Sequence, residues 1–334
     1  MPETRPGIDR TISVQDIGFI LIPGFSLMSY AAAVEPLRAV NLLAGREIYR
    51  VWAFSSFGTG ALTSLGVVVP ALPLPRHKGA LGTVFVCAGG SPDGWNDQVV
   101  LACLRRLARE GARIGGISGG PYLLAAAGLL EGHDFTIHWE HVPALQEAFP
   151  ALTPRQTRFV IDRNRITCGG GVAPLDMMHV LIAADVGEDF ARKVSDWFLH
   201  TDIAAPADPQ RGSLAERHGV HHPALLTVLA AMEASIERPL KRCAMASLAG
   251  LSSRHLDRLF GQHMGSTFLA QYRKIRLKQA CRLLEQSALS ISEIAFATGF
   301  SSAGHFSRHY RAAFGHSPTA VRRKRHAQLK IISP

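Results

Sequence analysis

The last third of the sequence contains an internal repeat, the feature that most limits the folds open to this chain. The stretch AGLSSRHLDRLFGQHMG (249–265) parallels TGFSSAGHFSRHYRAAFG (298–315), with one inserted residue between their registers. Arg258 and Arg308 correspond, 50 residues apart, and each copy follows a short helical segment. A helix, a turn containing glycine and a second helix make a helix-turn-helix, so the repeat predicts two such motifs in an all-α domain.

The segment that holds the repeat is strongly basic. Residues 211–334 contain 19 Lys and Arg against 6 Asp and Glu, whereas residues 1–210 contain 17 against 20. This asymmetry indicates a module that binds a polyanion, joined to a second domain. Two helices in tandem motifs suit successive major grooves of double-stranded DNA. The alternative is a plain helical bundle with a basic, solvated surface.

The first two hundred residues alternate short apolar runs with helical spacing. Runs such as 14–25, 82–90 and 113–118 predict buried strands of a parallel sheet with helices on both faces. Ligand sites in such folds form at the carboxyl ends of the strands. Ser118 lies at one of these ends, within the G-x-S-x-G string GISGG of a strand–turn–helix that can present a nucleophile.

Other residues near the same edge extend the candidate site. Glu35 is an acid inside an otherwise apolar helix, and His138 lies in FTIHWEH (135–141), where we expect the end of a strand. A nucleophile, an imidazole and a carboxylate can form a triad, but small residues at a strand–helix turn equally suit a small anion. Trp139 offers an aromatic face to a quaternary amine. We expect binding rather than catalysis, at Glu35, Gly90, Ser118, Gly119, His138 and Trp139.

These patterns predict a domain order. We expect a flexible N terminus (1–13), an α/β domain (14–200), a polar linker (201–221), a helical domain (222–325) and a tail (326–334).

The five scattered cysteines contain no CxxC pair, so neither a disulfide framework nor a metal site is expected, and no cofactor is implied. No signal segment or long apolar run is present, which favours a cytoplasmic, nucleoid-associated protein without a membrane partner.

Residues 15–190 resemble the class I glutamine amidotransferase-like superfamily, which includes the PfpI proteases, through GISGGPYLLAAAGLLEG and TIHWEH. The resemblance implies a flavodoxin-like parallel sheet. In the enzymes of this group the elbow residue is a cysteine, His138 matches its partner and Glu35 matches the acid that contacts it. Here Ser118 replaces the cysteine, and a hydroxyl does not ionise as a thiol does. The resemblance therefore implies a degenerate domain that is not an enzyme.

Residues 222–325 resemble the AraC/XylS DNA-binding domain, most specifically through LSISEIAFATGFSSAGHFSRHYRAAFGHSPTAVRR. The resemblance places Arg258 and Arg308 for paired hydrogen bonds to guanine. Gly304 departs from the longer polar residues common in the family, so the second helix is expected to read fewer bases. The full set of base-reading residues implied is Arg254, Asp257, Arg258, Gly304, His305, Ser307 and Arg308. Phosphate contacts are expected from Ser252, Ser253, Ser301 and Ser302.

The two domains together resemble the GlxA-type group of AraC-family regulators. This resemblance implies a transcriptional activator, acting on promoter DNA with RNA polymerase, dimeric, and responsive to an amino acid or a quaternary amine such as a betaine or carnitine. Two alternatives remain. One is a Ser118-dependent hydrolase or amidase with an attached DNA-binding domain, and the other is an architectural DNA binder with an inert α/β domain.

Overall fold

A computed structural model describes residues 13–56, 58–74, 81–287 and 289–323, which divide into two compact units between Gln210 and Arg211. The predicted flexible N terminus, apart from Ser13, and the predicted tail lie outside the described residues. Within these ranges, none of the helices has the length and apolar character required to cross a bilayer.

The first unit is built on a mostly parallel sheet. Its strands are β1 (Gln15–Leu21), β2 (Tyr49–Ser55), β3 (Ala61–Leu62), β4 (Val68–Val69), β5 (Leu72–Pro73), β6 (Thr83–Ala88), β7 (Arg113–Ser118), β8 (Phe159–Asp162) and β9 (Arg165–Cys168). The main sheet has the order β5-β2-β1-β6-β7-β9-β8, and β3 and β4 form a separate hairpin. Neighbouring strands of the main sheet run parallel except β8, which pairs antiparallel with β9.

Helices cover both faces of this sheet. They are α1 (Leu27–Ala44), α2 (Gln98–Arg109), α3 (Gly120–Ala126), α4 (Val142–Ala148), α5 (Ala173–Val186) and α6 (Glu188–Trp197). One apolar core lies under α1, α5 and α6, and a second lies under α2, α3 and α4. The predicted α/β architecture is confirmed. Sequence spacing missed β8, α4 and α6, each of ten residues or fewer.

The expected strand at 135–141 was wrong. Thr136 makes only an isolated bridge with Arg155, and His138 lies in the irregular segment that follows. The backbone N–H of His138 donates to the carbonyl of Ser118 (3.2 Å), and that of Trp139 donates to the side chain of Gln210 (2.8 Å). These donors bond the elbow and a distant side chain, and Arg155 itself lies outside the strands, so residues 135–141 form no strand of the sheet.

The second unit is helical, as predicted. Its helices are α7 (Leu214–His218), α8 (Pro223–Ala234), α9 (Arg242–Leu248), α10 (Ser253–Met264), α11 (Phe268–Gln286), α12 (Ile291–Ala297) and α13 (Ala303–Phe314). One core joins α8, α9 and α10, and another joins α12 and α13. The long helix α11 contributes its first half to one core and its second half to the other, so it connects the two helix-turn-helix motifs.

The segment 201–221, predicted as a linker, is built into the two units. The N–H of Ala204 donates to the buried carboxylate of Asp176 (3.0 Å) in the first unit. In the second unit, Ser213 and Glu216 form a capping box on α7, and Val220 is buried in the core. Polar composition indicated a linker because composition does not reveal that these polar groups are bonded within the units.

Candidate functional site

The elbow at the end of β7 has a strained backbone. Ser118 has a φ of 60°, in the left-handed region that residues other than glycine seldom adopt. The two glycines after it allow α3 to pack directly against the sheet. A Cβ on Gly119 would lie 2.2 Å from the ring of Trp95, and one on Gly120 would lie 2.0 Å from the carbonyl oxygen of Val86. Close packing alone therefore requires both glycines, whatever their part in binding.

Ser118 lies beneath the loop that follows β9. It is 8 % exposed, and its hydroxyl makes no hydrogen bond with any other residue that the structure describes. A Cβ on Gly170 would stand 2.7 Å from the Cβ of Ser118 and 3.1 Å from the hydroxyl of Ser29. The N–H of Gly171 donates to that same Ser29 hydroxyl (2.8 Å). The elbow, the start of α1 and the loop after β9 therefore meet at Ser118.

The acid expected at the elbow is replaced by a hydroxyl. Glu35 lies six residues beyond Ser29 on α1, which is about 9 Å further along the helix and about 240° around it. Its carboxylate bonds the guanidinium of Arg38 (2.7 Å), and its side chain is 43 % exposed. The structure thus brings Ser29, and not Glu35, to the elbow. Sequence spacing missed Ser29 because its bond to Gly171 spans 142 residues.

His138 is close to the elbow through its backbone rather than through its ring. Burial lowers the pKa of His138, against the opposing effect of the Glu140 carboxylate, so the neutral ring is favoured. Its Nδ1 accepts from the backbone N–H of Glu140 (3.3 Å), which leaves the ring proton on Nε2. With Nδ1 bonded and Nε2 protonated, neither nitrogen is placed to take a proton from Ser118.

The amide after Ser118 is also already used. In a nucleophile elbow this N–H stabilises the oxyanion, but here the N–H of Gly119 donates to the carbonyl of Ala88 (3.0 Å). Gly90 lies at the same edge, two residues beyond β6, and is exposed with a φ of 75°. Gly90 and Gly119 are thus close to the predicted site, while the Gly119 amide is not free to bind an anion.

Four aromatic rings beside the elbow form a continuous row of ring contacts. The ring centroids of His138 and Trp139 lie 5.3 Å apart, those of His138 and His141 5.6 Å, and those of His141 and Trp95 5.0 Å. Among them, Trp139 is partly exposed, and an indole face can attract an organic cation. Two clefts in the described part of this unit lie elsewhere, beside His179 and beside Cys103. No three or more His, Cys, Asp or Glu side chains among the described residues form a group that could hold a metal ion.

The second helices of the two helix-turn-helix motifs align with a constant offset of 50 residues. Leu256 and Phe306, offset by 50, are both fully buried in their cores. Ser252 caps α10 by accepting from the N–H of His255 (3.2 Å), and Ser302 caps α13 through His305 (3.2 Å). A serine therefore caps the second helix of both motifs.

The inserted residue of the second copy lies in its turn. Gly250 and Gly299 both have a positive φ, 66° and 72°, and end the first helix of each motif. Ser252 follows Gly250 by two residues, whereas Ser302 follows Gly299 by three. Phe300, which directly follows Gly299, is buried in the second core, and the guanidinium of Arg276 lies 4.3 Å from its ring centroid.

Most predicted DNA contacts lie on open helix surface. The exposed residues among them are Ser252, Arg254, Arg258, Ser301, Ser302, Gly304, His305 and Arg308, while Ser253, Asp257 and Ser307 are partly exposed. The carboxylate of Asp257 pairs with Arg242 at 2.7 Å. Arg242, which sequence reasoning missed, thereby offsets a negative charge that would repel phosphate.

The second recognition helix carries a histidine pair. The Nε2 atoms of His305 and His309 lie 2.9 Å apart, so one ring donates and the other accepts. Burial, and after it the nearby cations Arg273, His305, Arg308 and Arg276, lower the pKa of His309. The ring of His309 is therefore favoured in its neutral form, beside Arg308 on the same helix.

Comparisons with known proteins agree with both units. The DJ-1/PfpI family model matches residues 78–184, and a helix-turn-helix domain model matches residues 245–324. The HTH-type transcriptional regulator GlxA of Rhizobium meliloti (strain 1021) is 59% identical over 313 residues, which is 93% of this chain and 97% of that protein. GbdR of Pseudomonas aeruginosa (strain UCBPP-PA14), also an HTH-type transcriptional regulator, is 38% identical over 95% of this chain and 87% of its own. The crystal structure of an AraC family transcriptional regulator from Pseudomonas putida covers 55% of this chain and 99% of that chain, with 26% identity and a TM-score of 0.50.

Proposed function

The chain belongs to the family of DNA-binding transcriptional regulators that join a DJ-1/PfpI domain to an AraC-type helix-turn-helix domain, and from this premise we propose that its first unit senses a small metabolite. The metabolite binds at the elbow without being transformed. Its binding favours one arrangement of the regulator and so changes the affinity of the second unit for promoter DNA.

One observation carries the proposal of binding without catalysis: among the described residues, no base contacts the hydroxyl at the elbow. Ser118 needs a positioned base to attack a carbonyl. The ring of His138 bonds the backbone instead, and the Gly119 amide bonds Ala88. For Ser118 to hydrolyse an ester or amide, the His138 ring and the Gly119 N–H would both have to give up these hydrogen bonds.

The ligand class follows from the chemistry around the elbow. The indole of Trp139 offers a face to an ammonium or quaternary amine, and the Nε2–H of neutral His138 can donate to a carboxylate. An amino acid or a betaine carries both groups on one small molecule. We therefore propose this class as the effector, bound near Ser29, Gly90, Ser118, Gly119, His138 and Trp139.

The DNA-binding residues are proposed from their place on the matched helices. Arg258 and Arg308 are exposed at equivalent positions of α10 and α13, where each guanidinium can bond a guanine in the major groove. Arg254, Asp257, Gly304, His305 and Ser307 flank them, and the four serines of the turns face the phosphates. The hydroxyls of Ser252 and Ser302 accept the capping bond through oxygen, so each retains its proton for a phosphate.

We extend the proposal to a homodimer that activates transcription through RNA polymerase at the nucleoid. Exposed apolar side chains support the dimer. Leu65 and Val68 of the β3–β4 hairpin are 75 % and 59 % exposed, and Met28 at the start of α1 is 62 % exposed. The N–H of Ser64 donates to the carbonyl of Phe25, which holds the hairpin beside that helix start. A patch of this kind suits a second copy.

The substitution Ser118→Ala tests binding against catalysis. We expect the purified full chain to leave amino acids, betaines and their simple esters and amides unchanged, because no base is placed at the elbow. We expect a thermal-shift screen of amino acids, glycine betaine and carnitine to give a stabilising compound, and Ser118→Ala to weaken its effect. Turnover of an ester or amide that Ser118→Ala abolishes would instead favour the hydrolase.

A further inference from the structure

Gln210 is the last residue of the first unit, and its side chain hydrogen-bonds the segment beside the elbow. Its Nε2 lies within hydrogen-bond distance of three acceptors, the hydroxyl of Thr136 (2.9 Å) and the carbonyls of Ile137 (2.9 Å) and Thr157 (2.8 Å), so one of its two protons is shared. Its Oε1 accepts from the N–H of Trp139 (2.8 Å). Both ends of this amide are thus bonded, and three of the four bonds reach residues 136–139.

The space for this amide is made by a glycine. A Cβ on Gly169 would lie within 2.6 to 2.8 Å of the Cδ, Nε2 and Oε1 atoms of Gln210. The next residue, Gly170, is the one that packs on Ser118. One loop therefore touches Ser118 at one residue and the Gln210 amide at its neighbour.

The chain before Gln210 is held in place separately. The carboxylate of Asp176, fully buried, accepts from Nε2 of His200 (2.7 Å), from the N–H of Ala204 (3.0 Å) and from Nε of Arg158 (3.0 Å). These bonds fasten the start of the segment 200–210, and the Gln210 amide fastens its end. The next residue, Arg211, is the first of the second unit.

We propose that Gln210 is a positioning residue that couples the effector segment 136–139 to the DNA-binding unit. The inference rests on the proposed function, because it takes Ser118, His138 and Trp139 as the effector site. A ligand that shifts His138 or Trp139 changes the hydrogen bonds of the Gln210 amide. Arg211, the next residue along the chain, is the first of the second unit, so a change at the Gln210 amide reaches the start of that unit through the backbone.

Three substitutions disturb the contact, two at Gln210 and one at Gly169. Gln210→Glu replaces the Nε2 donor by an oxygen that faces the carbonyls of Ile137 and Thr157. Gly169→Ala displaces the same amide by steric contact, and Gln210→Met provides an uncharged variant of similar size. The matched controls are Gln146→Glu, an exposed position on α4, and Gly94→Ala, where an added Cβ meets no atom within 4 Å.

Hydrogen exchange at the Trp139 amide reports the coupling in the full chain. The probe is a DNA duplex selected by the wild-type chain from a random-sequence library. Because coupling between sites is reciprocal, saturating duplex is expected to change exchange at residues 136–139 by about fivefold or more in the wild type and in both controls. In Gln210→Glu, Gln210→Met and Gly169→Ala we expect duplex binding to persist while this response falls below about twofold.

The outcomes separate this inference from the proposed function. The coupling role is overturned if the duplex does not change hydrogen exchange at the Trp139 amide of the wild type. It is also overturned if the duplex changes this exchange in all three variants as much as in the wild type. Glycine betaine, carnitine or an amino acid that alters duplex affinity equally in the wild type and in Gln210→Glu leaves the metabolite sensor standing without Gln210. If none of these compounds binds the wild type, the proposed effector fails, whereas the exchange test still decides on the coupling.

Discussion

Individual arginines of the second unit differ in what their guanidinium groups contact. Arg276 bonds the carbonyl of Thr298 (2.7 Å) and lies over Phe300, so it secures the second motif. Arg242 pairs with Asp257. Arg308 is exposed on α13 and makes no hydrogen bond or ion pair with the residues that the structure describes. Its side chain is therefore available to a base.

We expect Arg308→Ala to weaken binding of the selected duplex by about 1 to 3 kcal/mol, because a paired hydrogen bond to guanine is lost. Fluorescence anisotropy at one fixed salt concentration measures the loss. Arg109→Ala, an exposed arginine on α2 of the first unit, is the control and should bind as the wild type does. An affinity of Arg308→Ala equal to that of the control would remove Arg308 from the base-reading set.

Helix ends show which elements can be found from sequence alone. The caps at Ser252 and Ser302 and the glycines that end α10 and α13 act between residues at most five apart, so a repeated string predicts them. The elbow at Ser118 is equally local. The strand expected at 135–141 failed because its partners lie elsewhere: Gln210 reaches Trp139 across 71 residues. Short elements such as α4 and α6 gave too little periodicity to be recognised.

Capping of α13 gives a prediction at the same scale. Ser302→Ala should lower the free energy of unfolding of the second unit by about 1 kcal/mol, because the N–H of His305 loses its acceptor. Ser301→Ala, one residue earlier and outside the cap, should change it by less than about 0.5 kcal/mol. Urea unfolding of the full chain, followed by circular dichroism, measures both. Equal losses in the two variants would show that the cap contributes nothing specific.

At the scale of the whole molecule, the charge division between the two units anticipated their separate tasks. The basic C-terminal third and the α/β first unit were both predictable, since each rests on composition and on a pattern repeated along many residues. The makeup of the candidate site was less predictable. Glu35 was chosen as an acid inside an otherwise apolar helix and by family resemblance, whereas the fold brings Ser29 to Ser118 and Gln210 to Trp139. Such contacts join distant parts of the chain and leave no local spacing to detect.

The affinity of the full chain for its selected duplex, with and without small ligands, tests the central claim most directly. The titration is followed by anisotropy in the presence of glycine betaine, carnitine or each amino acid, and the compound is recovered afterwards. We expect at least one compound to change the Kd by about fivefold or more and to be recovered intact. A Kd that no compound changes, or an effective compound recovered as its hydrolysis product, would contradict the account.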